Sequence, residues 1–384
     1  MAALTINPEV LRWAISESGL TARELSARVG ADVEAWLARK SKPSVSELRA
    51  AANALKRPFA TFFLPQPPAL ETPTVKFRHP ADDPRTSLNP EERKSIREAM
   101  RQQRLLSWLV DQLDGTTVQM PAFELPNTLA ESAARALREW IGISPEQQLK
   151  WSSSAAALRS WRAALEERGI VVFSLPMGSA SIRGFSIWEE RLPVIAINSA
   201  WNHEARIFSM FHELGHLVTK TSSACVQQAT KLGTPTDLAE RWCEQFAAHL
   251  LMPADLLRAV LNSVGWVAGR KITDLAIAAR VARRLRVSVR AAALKLIEAQ
   301  VSGWDLYKAI PPAVDEKKGH GPPADEPRNR ARIRRDQFGR RATSLYFRGV
   351  RAEVLDRTDV IDYLDVPDHD LDELQAWAEG TGNR

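Results

Sequence analysis

The sequence predicts a mainly helical α+β protein: an all-helical N-terminal unit, a central part in which helices surround one small sheet, and a helical C-terminal extension. Three observations support this. Apolar residues recur at helical intervals along most of the chain. One stretch, about 170 to 198, turns to short runs rich in β-formers, and breaker-rich segments interrupt the pattern near 64 to 88 and 309 to 327.

Residues 1–65 are expected to form the N-terminal unit. Thr21 to Glu24 and Ser44 to Glu47 have capping-box spacing, and each opens an apolar-periodic stretch, with Leu25 and Val29 in one and Leu48, Ala52 and Leu55 in the other. FFLPQPPALETPTVKFRHPADDP cannot continue as helix, so 66–129 read as a linker and a helical segment. That helix starts at Asn89-Pro90-Glu91-Glu92, an N-cap, a first-turn proline and two acids on the positive helix end, and should run to about Leu113. Helices are expected over 128 to 141 and 152 to 168, then three strands in GIVVFSL, GFSIWEE and PVIAINS, the last two as a hairpin around Glu190 and Arg191. Further helices follow over 203 to 219, 235 to 251, 255 to 264, 272 to 284 and 288 to 300, which places a central domain at 130–300. A flexible connection over 301–328 then leads to the extension, 329–384.

With 45% apolar and 26% charged residues, the 384-residue chain is not of the disordered class. No apolar run approaches the roughly 20 residues of a membrane helix, so a soluble, cytoplasmic protein is expected. The net charge of +6 suits nucleic acid but is too modest to argue for it. Cys225 and Cys243 are too few for a disulfide framework or a thiolate metal site, so a metal would rest on His and carboxylate ligands.

FSMFHELGHLVTK poses the metal question directly. Ile207, Met210, Phe211, Leu214, Leu217 and Val218 form one helical stripe directed at the core. His212 and His216 lie beside it, one turn apart, where two imidazoles can reach one ion; Glu213 falls just outside the ligand set, and Gly215 leaves room for a close approach. The alternative is a pair of core histidines bonded to backbone or solvent. A third ligand is expected from TPTDLAERWCEQFAAHLLMP, in which Thr234, Pro235 and Asp237 form the helix start and Leu238, Trp242, Phe246 and Leu250 the packed stripe. Glu240 and Glu244 repel at i, i+4 unless a cation joins them. Glu240 is therefore assigned as ligand and Glu244 as an outer acceptor orienting a histidine, against the alternative of a solvated acidic face paired with Arg241. His203, His249 and Cys243 read as ordinary residues.

AINSAWNHEARIFSMFHELGHLV, ERWCEQFAAHLLMP and ITDLAIAARVARRLRVSVRAAALKL, in that order over roughly 130 to 300, resemble the ImmA/IrrE family of zinc-dependent metallo-endopeptidases. The resemblance implies a zincin-like domain holding Zn2+ on His212, His216 and Glu240, with Glu213 as catalytic base, and cleavage of a helix-turn-helix repressor that relieves gene repression. Glu244 departs from the family, which often has Asn there; the extra charge should hold zinc more tightly and weaken its Lewis acidity. The N-terminal unit resembles an Xre-type helix-turn-helix module. Its second motif helix, ADVEAWLARK, offers Asp32 and Glu34 early and Arg39 and Lys40 only late, with Lys42 beyond; DNA reading and docking of a repressor both stay open.

The reaction expected is peptide hydrolysis, with Glu213 taking a proton from water and delivering it to the leaving amine. An extended protein substrate is expected along an edge strand of Val194, Ile195, Ala196, Ile197 and Asn198. The rival is a DNA-binding regulator or antitoxin-like protein whose zincin fold is a sensor or scaffold without turnover.

Overall fold

The computed structural model describes residues 4–18, 20–55, 57–68, 88–113, 117–125, 127–178, 181–220, 235–311 and 329–380, with side chains of the seventh gap-free stretch's successor from 238 onward. Cys225, Thr234, the Asp237 side chain and most of both breaker-rich segments lie outside the described residues.

The N-terminal unit holds α1 (Pro8–Ser18), α2 (Ala22–Val29), α3 (Val33–Leu37) and α4 (Val45–Leu55). Both expected capping boxes form: Thr21 with Glu24, and Ser44, whose N–H donates to Glu47 at 2.7 Å. Leu11, Leu25, Trp36, Leu48 and Phe62 fill its own small core.

Next comes α5 (Pro90–Leu113), started by Asn89, whose Oδ1 accepts the Glu92 N–H at 2.8 Å. Then α6 (Ala130–Ile141), α7 (Pro145–Lys150) and α8 (Ser154–Glu167) lead to the sheet. The short α7 was not expected; a Ser144–Gln147 capping box nucleates it. After the sheet run α9 (His203–Val218), α10 (Pro235–Leu251), α11 (Ala254–Ser263), α12 (Leu275–Leu285), α13 (Val289–Glu298) and α14 (Trp304–Lys308), the last inside the expected flexible connection. The chain closes with α15 (Arg330–Arg351), α16 (Arg357–Leu364) and α17 (Asp368–Glu379). No described helix is long and apolar enough to cross a membrane.

Strands β1 (Val171–Leu175), β2 (Gly184–Ile187) and β3 (Val194–Asn198) form one sheet in the order β1-β3-β2. β2 and β3 are the expected hairpin, with Ser186 opposite Ile195, and β1 joins β3 in parallel. This corrects one expectation: β3 is the central strand, not an edge, so Val194, Ile195, Ala196, Ile197 and Asn198 cannot receive an added strand. Both of its backbone edges are already spent on β1 and β2. Asn198 is spent as well. Its side-chain amide donates to Gly178 O at 2.7 Å and Ile182 O at 2.9 Å, tying both residues to the end of β3.

Side chains alternate across the sheet into two cores. Val172, Ile195 and Ile197 face α6 and α8 to α13, whereas Val171, Phe173, Phe185, Val194 and Ala196 face α5 and α15 to α17. The C-terminal helices are therefore the second cover of the sheet, which explains why β1 and β3 are apolar on both faces. Within residues 329–380, α15 to α17 thus pack directly on the sheet.

One polar clamp fixes that cover. Arg162 on α8 bonds Glu166 at 2.9 Å and donates to Asp336 O at 2.7 Å, Gln337 O at 3.2 Å and Val172 O. Glu166 accepts the Arg340 N–H at 2.9 Å and the Arg341 N–H at 3.3 Å, capping the second half of α15 beyond its kink at Gly339. Burial pushes the Glu166 carboxyl up, and Arg162 with the two N–H groups pulls against it.

Candidate metal centre

Helix α9 begins where Asn202 Oδ1 accepts the Ala205 N–H at 2.8 Å. All six residues of its apolar stripe are buried, and so are Ser209, His212, Glu213, Gly215 and His216, because α8, α10 and the sheet enclose the helix. Polar groups so enclosed must find partners.

They find them on α10. Gly215 is the crossing point: a Cβ there would lie 3.0 Å from Cys243 Sγ, 3.1 Å from its Cβ and 3.2 Å from its Cα. The backbones can thus approach closely, and Glu240, one turn before Cys243, reaches both histidines. Its Oε2 lies 3.1 Å from His212 Nε2 and its Oε1 3.3 Å from His216 Nε2; the two Nε2 atoms are 3.2 Å apart. Tetrahedral ligands ~2.0–2.1 Å from one zinc ion stand about 3.3 Å from each other. The spacings, with the two histidines facing different oxygens of Glu240, lie close to that requirement, and His212, His216 and Glu240 form the one such group among the described residues.

The electrostatics also call for a cation. Burial pulls the His216 imidazolium down, but Cys243, Glu240 and Glu213 outweigh it and hold the ring well above its ordinary value. Burial likewise pushes the Glu240 carboxyl up, yet its bonds to His212 and His216 bring it far below the usual carboxylate range. Both shifts favour positive charge among His212, His216 and Glu240, the same preference that would favour a bound divalent cation there. With the His212 and His216 side chains buried and that of Glu240 35% exposed, the opening to solvent is on the α10 side.

Glu213 is buried beside the cluster without being part of it. Its Oε2 accepts from Ser186 Oγ at 3.1 Å, and its Cγ stands close to the bare backbone of Gly184. Glu244 lies exposed on α10, outside the group of three, while the side chain placed against His216 is Cys243, whose thiol is pushed up by burial. In the expected α10 stripe Trp242, Phe246 and Leu250 are buried but Leu238 is 49% exposed.

The other histidines stay apart. His203 opens α9, and His249 bonds Glu298 through Nε2 at 3.1 Å and Lys295 through Nδ1 at 2.8 Å. His249 also lines a cleft of about 730 Å³ with Arg135, Arg138 and Arg258, a lining that includes none of His212, His216 and Glu240. Arg39, Lys40 and Lys42 are exposed after α3; Lys42 Nζ donates to Thr5 Oγ1 at 3.0 Å. Asp32 and Glu34 are exposed at the start of the same helix, and Asp32 caps it through the Ala35 N–H.

Sequence reasoning missed Ser186, Gly184 and the contact made by Cys243. The available signal was GFSI: a glycine and a serine two apart in a strand whose neighbours are aliphatic, a pattern that marks a close approach on that face.

No curated protein matches the chain. Residues 165–296, which include all three strands, α9, α10 and the whole cluster, match the family model Peptidase_M78, described as the IrrE N-terminal-like domain; this supports the ImmA/IrrE resemblance and a peptidase of metal-dependent type.

Proposed function

We propose that the protein is a zinc-dependent endopeptidase that cleaves a helix-turn-helix repressor or a similar regulatory protein and so derepresses genes. The observation that supports this best is the cluster of His212, His216 and Glu240, with buried Glu213 beside it, inside the segment that matches a peptidase family. His212, His216 and Glu240 would hold the ion, which when bound supplies Lewis acidity toward water and the scissile carbonyl. Glu213 accepts the proton of the attacking water and returns it to the leaving amine. Glu244, exposed one turn beyond Glu240, adds negative charge toward the ion from outside.

With β3 at the centre of the sheet, the substrate segment lies instead along β2, the edge strand that carries the partner of Glu213. The N-terminal unit serves as a selector that docks the protein substrate. Acidic Asp32 and Glu34 at the start of α3 favour this over DNA phosphates, and Arg39, Lys40 and Lys42 are left as the basic surface for any DNA contact.

The test pairs zinc analysis with co-expression of an Xre-type repressor. Glu213→Gln should keep its zinc and lose cleavage; cleavage equal to that of the parent protein would remove Glu213 as the base. A gel shift on the protein's own promoter without any proteolysis would instead favour a DNA-binding regulator.

A further inference from the structure

Strand β2 presents an unusual face to α9. In the register of the sheet, Gly184 stands opposite Ile197 and Ser186 opposite Ile195. Ile195 and Ile197 pack into the core that contains α9, so the same face of β2 points there, yet it carries no aliphatic side chain. Small residues at both positions leave a hollow in an otherwise close-packed layer.

The Glu213 side chain fills it. Ser186 is 3% exposed and Glu213 2%, and their 3.1 Å contact is made out of water. At Gly184 an added Cβ would fall 2.9 Å from Ala196 O, so no larger residue fits without moving the neighbouring strand, and it would already touch Glu213 Cγ at 3.4 Å. A glutamate has three rotatable side-chain bonds, and a buried carboxylate held by a hydroxyl donor in a fitted hollow is confined to few rotamers.

Resting on the metallopeptidase reading, we infer that Gly184 and Ser186 form a seat on the edge strand that fixes the Glu213 carboxylate, with Ser186 as the positioning residue for the general base. Because the seat belongs to the strand along which the substrate lies, strand and base keep one geometry. Loss of the hydroxyl leaves the ligand histidines in place and removes the strand's hold on Glu213 Oε2.

The experiment compares Ser186→Ala, Ser186→Thr and Gly184→Ala with the parent protein in zinc-loaded crystal structures, zinc titrations and cleavage kinetics on a co-expressed repressor. Ser186→Ala should lower kcat about 10- to 100-fold, the range for lost outer partners of a metal site. KM and zinc affinity should stay within about twofold, and the Glu213 side chain should leave its present position or split between rotamers. Ser186→Thr, which keeps the hydroxyl, should restore both the position and most of kcat, and Gly184→Ala, which pushes β2 off Ala196 O, should shift the seat and carry the carboxylate with it. A Glu213 that stays put and singly ordered in Ser186→Ala overturns the seat, as does a fall in kcat matched by an equal loss of zinc. A parent protein that cleaves nothing would count against the peptidase reading alone, since the position of Glu213 in the crystals still decides the seat.

Discussion

Gly215→Ala is the most informative single substitution at the helix crossing. An alanine in mid-helix normally gains up to ~1 kcal/mol over glycine through reduced chain entropy. Here its methyl would sit 3.0 to 3.2 Å from three atoms of Cys243, including the Cα, which cannot rotate aside. Ordinary contact begins at 3.4 Å, so α10 must retreat by roughly 0.2–0.4 Å, an overpacking cost of about 1–3 kcal/mol that cancels or exceeds the propensity gain. Net stability should therefore drop by no more than ~2 kcal/mol. The larger effect falls on the ligands, because Glu240 moves with α10 while His212 and His216 stay on α9. Zinc affinity should fall about 10- to 100-fold, a loss typical of disturbed metal-site support. Chelator-competition titration gives the affinity and thermal unfolding the stability. Adding Cys243→Gly, which removes the Sγ and Cβ contacts, should recover much of the affinity, with a double-mutant coupling of ~1 kcal/mol or more. A Gly215→Ala protein with parental zinc affinity would refute the claim that this approach sets the ligand geometry.

Zinc binding should weaken as pH falls through the raised titration range of His216, by about tenfold per unit for each competing proton, because the ligand imidazole must be neutral. Titrations at about pH 6 and about pH 8 that agree would contradict this. For the ion-free chain the sign reverses: the raised value means that the His216 proton adds stability below the unfolded value near 6.5, and this is lost as pH rises through the folded value. Glu240→Ala should cost zinc affinity ~100-fold or more. Glu244→Ala, at an exposed position, should change it less than about tenfold. A larger effect of Glu244→Ala would show that the third ligand is misassigned. Gly339→Ala should destabilise the fold by ~3 kcal/mol or more, since the kink has φ 76° and the added methyl would overlap the Glu166 carboxylate; an unchanged melting temperature would refute the clamp.

Much of the site was legible because its determinants are local. His212, Glu213 and His216 lie within two helical turns, and Glu240 was picked out by its spacing from Glu244 on a second helix. Helix limits were legible where a side chain caps a specific N–H, as at Asn89 and Ser44. Strand order was not. PVIAINS gives the same apolar run whether it is central or marginal, and only the return of β1 alongside it decides. The apolar pattern of α15 likewise shows a buried face but not that Phe338, Tyr346 and Phe347 cover the back of the sheet. Cys243 was read as a small buried thiol, as it is, but its consequence depends on which residue crosses it, and Gly215 supplies that from another helix.

The most direct measurement is anomalous diffraction at the zinc edge on crystals soaked in zinc. The predicted result is one peak ~2.0–2.1 Å from His212 Nε2, His216 Nε2 and a Glu240 oxygen, with Glu213 outside the ligand set. No peak between those groups, or a peak with Glu240 turned away from both rings, would contradict the account.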